Sequence, residues 1–395
     1  MEKHEELLDK HIDKFAGRLK SFKDEWIDLA EWMHIYALDG IASFTFSKSP
    51  RYTEKGNDAG NMAVSDKHWA YFTVVGLFPW IVYVTQNLPK TGMYLRIPIS
   101  LLFAIPIPSG LPIIGFVIPN LLERLSTLES TSKVKPPADR PGLQTSLRAD
   151  DLGQKDEDAP EGEESDLLAS VMKLHTSKED RFRASWVLGI SLTNFGAGHD
   201  TMTITLSSAI YLICNNSAVK SRLVRELREA NIGKNSTYNE ITQKVPFLMA
   251  CLKESMRIYP AIGFNLQRKV PATGAKLCNT YLPPGTIMGV HLWAVHNQLA
   301  DVFPEPEKFN PERWLPDGTE EKKKAIGRMN GAWLSFGGGS RSCPGQYLAK
   351  FFVIKLLARL FSEFGDGVEV RGEADFVGWF SCHFRGVDVR FAQEE

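Results

Sequence analysis

The stretch Phe336-Gly337-Gly338-Gly339-Ser340-Arg341-Ser342-Cys343-Pro344-Gly345 constrains this chain more than any other. It sets one cysteine at the end of a glycine-rich loop, just before an apolar helical pattern that runs through Tyr347, Phe351, Leu356 and Phe361. Glycines accept backbone angles that other residues resist, and without side chains they let a flat, bulky partner lie against the main chain. A thiolate in that position is a strong ligand for a metal carried by such a partner. Arg341 adds positive charge beside it, where a carboxylate can pair. Taken alone, a single cysteine is more often a small buried hydrophobe, and a glycine cluster is more often a turn. The rest of the chain has to decide.

Its bulk properties allow a large folded unit. The 395 residues are 43% hydrophobic and 24% charged, enough for a substantial core. Lys and Arg number 46 against 47 Asp and Glu, so no basic excess points to nucleic acid. The cysteines at 214, 251, 278, 343 and 382 are odd in number, widely spaced and free of any CxxC pair. That pattern argues against a disulfide framework and a zinc cluster and suits a reducing compartment. No histidine sits in an HExxH pattern, so the sequence displays no metal site built from imidazoles and carboxylates. The first residues, Met1 to Glu6, read directly as helix, without an apolar leader.

Read in order, the chain is mainly helical. Leu7, Leu8, Ile12, Phe15 and Leu19 give residues 1–24 one apolar face, and Ile27 to Ala42 predict a broader, better buried helix. Residues 48–66 read as loop. Residues 68–89 and 97–122 carry no formal charge and are long enough to span a bilayer, but Pro79 and Pro98, Pro106, Pro108, Pro112 and Pro119 break them. The expectation is a broken apolar lid touching the membrane surface, with a buried helical hairpin as the plainer alternative. Residues 117–130 predict a short helix, and the polar, acidic stretch 131–165 a flexible internal loop. A long core helix is predicted from Lys178 or Glu179 to Ile213, followed by amphipathic helices over 218–230 and 238–258. Alternating pieces at 264–270, 276–281 and 286–293 predict a small strand region with a turn at Pro283-Pro284-Gly285. Residues 299–334 read as irregular apart from a helical Glu320–Lys324, and residues 368–391 as a closing hairpin.

Three further groups carry chemistry. Ala197-Gly198-His199-Asp200-Thr201 puts an acid beside a hydroxyl in a buried helix that its glycines are expected to loosen. Water entering such a notch can relay protons between Asp200 and Thr201. The alternative is a threonine bonded back onto its own helix. Glu254-Ser255-Met256-Arg257 sets two opposite charges on one face of an apolar helix. Phe309-Asn310-Pro311-Glu312-Arg313-Trp314 offers an arginine fork able to bridge a carboxylate.

These segments, in this order, resemble the cytochrome P450 family. The cysteine loop fills every fixed position of Phe-Gly-x-Gly-x-Arg-x-Cys-x-Gly, and the other three match its oxygen-activation, Glu-x-x-Arg and Pro-Glu-Arg-Phe/Trp motifs. Met202 departs from the usual second hydroxyl, so it receives no proton role. The resemblance implies a mainly α fold with small β-sheets, forming a single domain over 1–395 that is partial at its N-terminus. No strands of a first sheet and no Trp-x-x-x-Arg helix precede the opening helices, which look like the middle of the fold, as a truncated gene product would. The implied cofactor is heme b (iron protoporphyrin IX), with Cys343 as axial iron ligand. Phe336, Gly337, Gly345, Arg341, Arg268 and Ala197 would lie against it. Asp200 and Thr201 would manage protons, and Glu254, Arg257 and Arg313 would form a structural triad.

The implied activity is monooxygenation of a hydrophobic small molecule, aromatic by resemblance to fungal microsomal members of secondary metabolism. O2 and electrons from NADPH–cytochrome P450 reductase would be required, since no nicotinamide fingerprint appears. Ala261–Leu266 and Gly378–Ser381 would line the substrate side. The family expectation places the protein on the cytosolic face of the endoplasmic reticulum, with peripheral membrane contact through 68–122 and no nucleic-acid partner. Two other readings stay open: a haem-thiolate isomerase or dehydratase, and a truncated P450-like protein that holds no haem and is not an enzyme.

Overall fold

A computed structural model describes residues 4–77, 112–131, 154–155, 166–177 and 184–392. Most of the acidic stretch 131–165 and the apolar region 78–111 fall outside the described residues.

Helix α1 (Glu5–Lys20) buries Leu8, Ile12, Phe15 and Leu19 on one face, as their spacing requires. A two-residue strand β1 (Ile27–Asp28) leads into α2 (Leu29–Phe46), whose N-cap Asp28 accepts a bond from the Glu31 amide. Nearly every side chain of α2 is buried, so this helix lies inside the molecule. Residues 48–66 are more ordered than their Ser, Gly and Asn content suggests. They hold β2 (Lys48–Ser49), a single turn α3 (Tyr52–Lys55) and the start of α4 (Asn61–Leu77). The Asp39 carboxylate, reaching up from α2, accepts bonds from the amides of Tyr52 and Thr53 and the hydroxyl of Ser49, which fixes the turn.

Helix α5 (Pro112–Thr131) is longer than the 117–130 expectation and carries Pro119 within it. The short strand β3 (Gln154–Lys155) pairs antiparallel with β2, and α6 (Leu167–Ser177) follows. The central helix α7 (Ala184–Cys214) is apolar on most sides and packs against α2. It runs unbroken through residues 196–201, so the expected loosening there is absent. Gly198 has a packing reason instead: a β-carbon there would stand 2.8 Å from Ile41 Cδ1 of α2. Among the described residues no helix is long and apolar enough to cross a membrane.

Next come α8 (Ser217–Glu229), α9 (Tyr238–Lys244) and α10 (Pro246–Ile258). The sequence pattern joined the last two. Pro246 separates them, because its ring suits the first position of a helix and not its interior. The strand region is slighter than expected: β4 (Arg268–Lys269), β5 (Ala275–Leu277), β6 (Thr280–Leu282) and β7 (Ile287–Met288) form two small antiparallel pairs. The end of the third alternating piece belongs to a helix, α11 (Leu292–Gln298), capped by His291. The irregular region also holds a 3-10 turn at Pro311–Trp314 and α12 (Glu320–Ala332), longer than its charged start indicated.

Helix α13 (Gln346–Phe364) and the hairpin of β8 (Val368–Gly378) and β9 (Cys382–Phe391) close the chain. β1 joins the outer edge of β9, giving the order β1-β9-β8. Helix α13 is tied to α1 through buried Lys355, which meets Glu5 at 3.0 Å and Asp9 at 2.7 Å, and through Arg359 on Asp13. The opening helix is therefore part of the core, with its acids facing cations that arrive some 350 residues later. The hairpin tip meets the strap after α10 closely. A β-carbon on Gly263 would stand 2.6 Å from the Trp379 carbonyl, and Ile262 bridges Ser381.

Candidate active site

The cysteine loop is built from the end of α12 to the start of α13. The Gly337 amide donates to the Leu334 carbonyl at 2.7 Å, and the Cys343 amide to the Phe336 carbonyl at 2.8 Å, which closes the loop. Gly337 sits at φ +71°, where a side chain would be strained. Gly345 takes the position before α13, so Cys343 stands near the positive end of that helix. Cys343 is half-buried, and Arg341 is exposed. Phe336 packs edge-on against Trp333 and carries the Lys350 ammonium over its ring. The other buried thiols are chemically quiet. Burial pushes Cys214 and Cys382 up to about 12, and Cys251 higher still.

Glu254, Arg257 and Arg313 meet on one carboxylate. Glu254 Oε1 accepts from Arg257 Nη2 at 2.9 Å, Arg313 Nε at 2.9 Å and the Asn310 amide at 3.1 Å. Its Oε2 accepts from Arg257 Nε at 3.0 Å and Trp314 Nε1 at 2.8 Å. Glu254 and Arg257 are fully buried. Spare guanidinium N–H groups donate to the carbonyls of His296, Lys308, Pro304 and Glu305. A buried ion pair this well supplied with donors avoids most of the penalty that isolated charges incur.

The link from this triad to the cysteine loop is His296, which no motif singled out. Arg257 donates to its carbonyl, and its Nε2 accepts from the Leu334 amide at 3.2 Å, at the base of the loop. Burial and then the Arg257 charge push the imidazole down to about 4, so it stays a neutral acceptor. This has a pH consequence. The unfolded histidine takes a proton near 6.5 and the folded one only near 4, so the unfolded state holds the extra proton between these values. Stability from His296 is complete above about pH 6.5 and falls as pH drops toward 4, by an amount on the order of 3 kcal/mol. Urea unfolding of the native protein and His296→Gln across that range should show the native protein losing this much more. Parallel pH curves would contradict it.

On α7, the acid and the alcohol turn to different surroundings. Ala197 is exposed, like Trp186, Ile190 and Thr193 earlier on the same helix. Thr201 Oγ1 donates to the Ala197 carbonyl at 2.8 Å, leaving its lone pairs free to accept. Asp200 is buried and accepts at Oδ2 from Ser65 Oγ and Trp69 Nε1 of α4, both at 2.5 Å. His199 Nε2 lies 3.2 Å from Oδ2, and His34 Nε2 of α2 lies 3.5 Å from Oδ1. Behind His34, its Nδ1 lies 3.1 Å from Asp58. Burial acts against the Asp200 charge, but His199 and His34 prevail and hold its carboxyl well below the usual range. Burial likewise works against protonating His34, and Asp200 and Asp58 outweigh it, so its pKa is raised.

The sequence displayed no imidazole–carboxylate cluster. The fold assembles one from His34, His199 and Asp200, with donor atoms within 4.8 Å of one another. Met202 is buried in the core.

Between α4 and the strap after α10 lies a cavity of about 370 Å³, bordered by Trp69, Phe72, Thr73, Phe264, Leu266 and Phe380. Trp69 stacks on Phe380 across it, at 5.2 Å between ring centres. Arg268, on β4, is exposed and, among the described residues, donates only to the carbonyls of Leu266 and Gln267.

The description of the cytochrome P450 family matches residues 148–371. The chain is 29% identical over 406 residues to the cytochrome P450 monooxygenase sdnT of Sordaria araneosa, covering 99% of this chain and 69% of that protein. It is 28% identical over 340 residues to the pisatin demethylase of Fusarium vanettenii, covering 86% of this chain and 58% of the demethylase. With the cytochrome P450 monooxygenase mpaDE of Penicillium roqueforti the identity is 24%, and the chain spans 36% of that protein. The crystal structure of the cytochrome P450DA heme domain superposes with a TM-score of 0.69 at 14% identity, covering 100% of this chain and 74% of the other; this shows the shared fold. With the family match extending over more than half its length, this chain is a member of the cytochrome P450 family.

Proposed function

We propose that the chain forms the thiolate and proton-handling side of a haem-dependent monooxygenase, which inserts one atom of O2 into a hydrophobic, aromatic small molecule. The residues present fit heme b. A half-buried thiol, Cys343, leads into α13. Arg341 forms no ion pair with an acid among the described residues, and Arg268 donates only to carbonyls, so both guanidiniums can receive propionates. Ala197 presents a small apolar surface on the core helix, where a flat ring can approach.

Cys343 would hold the iron, with Phe336, Gly337 and Gly345 shaping the loop around it. When bound, the haem supplies O2 activation and the oxygen transfer. The chain's own residues supply the rest. The His296–triad framework keeps the loop rigid, Asp200 holds an ionised carboxylate inside the molecule, and Thr201, whose hydroxyl donates to the Ala197 carbonyl, offers Oγ1 lone pairs as a hydrogen-bond acceptor on the proton path. The aromatic walls of the 370 Å³ cavity suit a flat apolar substrate. Electrons would come from NADPH–cytochrome P450 reductase at the endoplasmic reticulum surface, as is usual in the family.

The observation that carries the reading is the half-buried thiol on a closed glycine loop, braced by a buried triad. A panel of small aromatic ethers, phenols and alkanes, titrated into haem-loaded protein, tests the substrate class. Aromatic ligands should perturb the haem absorption most, and Phe380→Ala should weaken them about tenfold, in line with loss of one aromatic contact. Equal response to all ligands, unchanged by Phe380→Ala, would sink the assignment of this cavity.

A further inference from the structure

The cluster around Asp200 poses a problem in hydrogen-bond accounting. His199 Nδ1 bonds the Phe195 carbonyl, one turn back on α7. A carbonyl only accepts, so this nitrogen carries the proton, and in the neutral ring Nε2 is a bare lone pair. That lone pair is 1% exposed and faces a carboxylate at 3.2 Å. His34 repeats the arrangement, fully buried, with Asp58 behind Nδ1 and the Asp200 carboxylate before Nε2. Neither Nε2 makes an aligned hydrogen bond, although both lie at ion-pair distance from oxygen. Donor atoms from two helices and a carboxylate therefore lie within 4.8 Å of one another away from solvent, a repulsive arrangement unless positive charge lies among them, carried by the His34 ring itself or by a bound cation.

We propose that His34 Nε2, His199 Nε2 and an Asp200 oxygen form a binding site for one zinc-class divalent cation. His199 Nε2 lies 3.2 Å from Asp200 Oδ2 and His34 Nε2 lies 3.5 Å from Oδ1, near the roughly 3.3 Å between ligand atoms around a tetrahedral zinc ion, and the three donor atoms lie within 4.8 Å of one another. Two imidazoles and a carboxylate are a borderline-soft set suited to zinc or cobalt. The surrounding contacts are those a metal site needs: Asp58 orients His34, the Phe195 carbonyl orients His199, and Ser65 and Trp69 fix Asp200. Charge balances too, since the two carboxylates Asp58 and Asp200 meet two neutral rings and one dication. Nearby Asp66 is already matched by Arg385 at 2.7 Å. The bound ion would fasten α2 and α7 together behind α4, whose Trp69 borders the cavity. It would also occupy Asp200, so zinc slows turnover; this consequence alone rests on the proton role proposed above.

Calorimetric titration of zinc into the chelator-treated full chain tests the site, with cobalt absorption as a second readout. The expected result is one ion per chain, a tetrahedral cobalt spectrum and a melting temperature that rises with zinc. His34→Gln and His199→Ser should each weaken binding by more than about 100-fold, and Asp58→Asn by about 10-fold. His68→Gln, on α4 but outside the cluster, should leave affinity unchanged. Circular dichroism establishes that each variant is folded; should the histidine variants fail to fold, Asp58→Asn and the cobalt spectrum of the native chain still decide. No uptake, an octahedral cobalt spectrum, or uptake indifferent to these substitutions overturns the site. Uptake that leaves the turnover of haem-loaded protein untouched upholds the site and removes Asp200 from the proton route.

Discussion

Glu254→Ala is expected to lower folding stability by about 3–5 kcal/mol, among the largest losses available to a single substitution here. The reason is what remains behind. Removing the carboxylate leaves Arg257, fully buried, and Arg313, 5% exposed, without the acid to which both are hydrogen-bonded. It also strands Trp314 Nε1 and the Asn310 amide, whose partner was the same carboxylate. Glu254→Gln is the milder test, because the amide oxygen still accepts but the charge is gone. Guanidinium unfolding gives the free energies. A loss under about 1 kcal/mol for Glu254→Ala would mean that water or nearby carbonyls already satisfy the arginines and that the triad does not brace the loop.

Asp200→Asn is expected to slow turnover about 100-fold or more, the usual contribution of a positioned general base, while haem uptake and ligand binding stay within about threefold. The amide fills the same space but cannot exchange a proton at neutral pH. Thr201→Val tests the other half. It keeps the β-branched shape and removes the Oγ1 that bonds the Ala197 carbonyl, so electrons should be consumed with less product formed per electron. The readout is product against NADPH and peroxide. Unchanged turnover and coupling in both variants would assign the pair a packing role.

The sequence carried the parts of this account that are local. Long stretches with largely apolar character, such as Trp186 to Ile213 and Tyr347 to Phe361, gave the two core helices, since an apolar run of that length is too long for a strand. Shorter elements misled. Thr286 to Trp293 alternates like a strand, but Leu292 and Trp293 open α11, because the His291 cap and packing of its buried face outweigh a two-residue pattern. The triad was legible because each motif fixes its own residues. His296 was not, since its role depends on Leu334, which approaches only after the chain folds back. The same holds for Ser65 and Trp69, which meet Asp200 across 135 and 131 residues. No periodicity encodes such a meeting. The one signal available was compositional: His34 and Asp39 lie inside a stretch otherwise as apolar as a core helix, and a buried polar group needs a partner.

The most direct test of the central claim is the absorption difference spectrum of haem-loaded, reduced protein on adding carbon monoxide, run beside Cys343→His. A thiolate opposite carbon monoxide gives a strongly red-shifted haem band, and the account predicts that band in the native chain and its loss in Cys343→His with haem still bound. A folded native chain that takes up haem without the red-shifted band, or a band that survives Cys343→His, would contradict it.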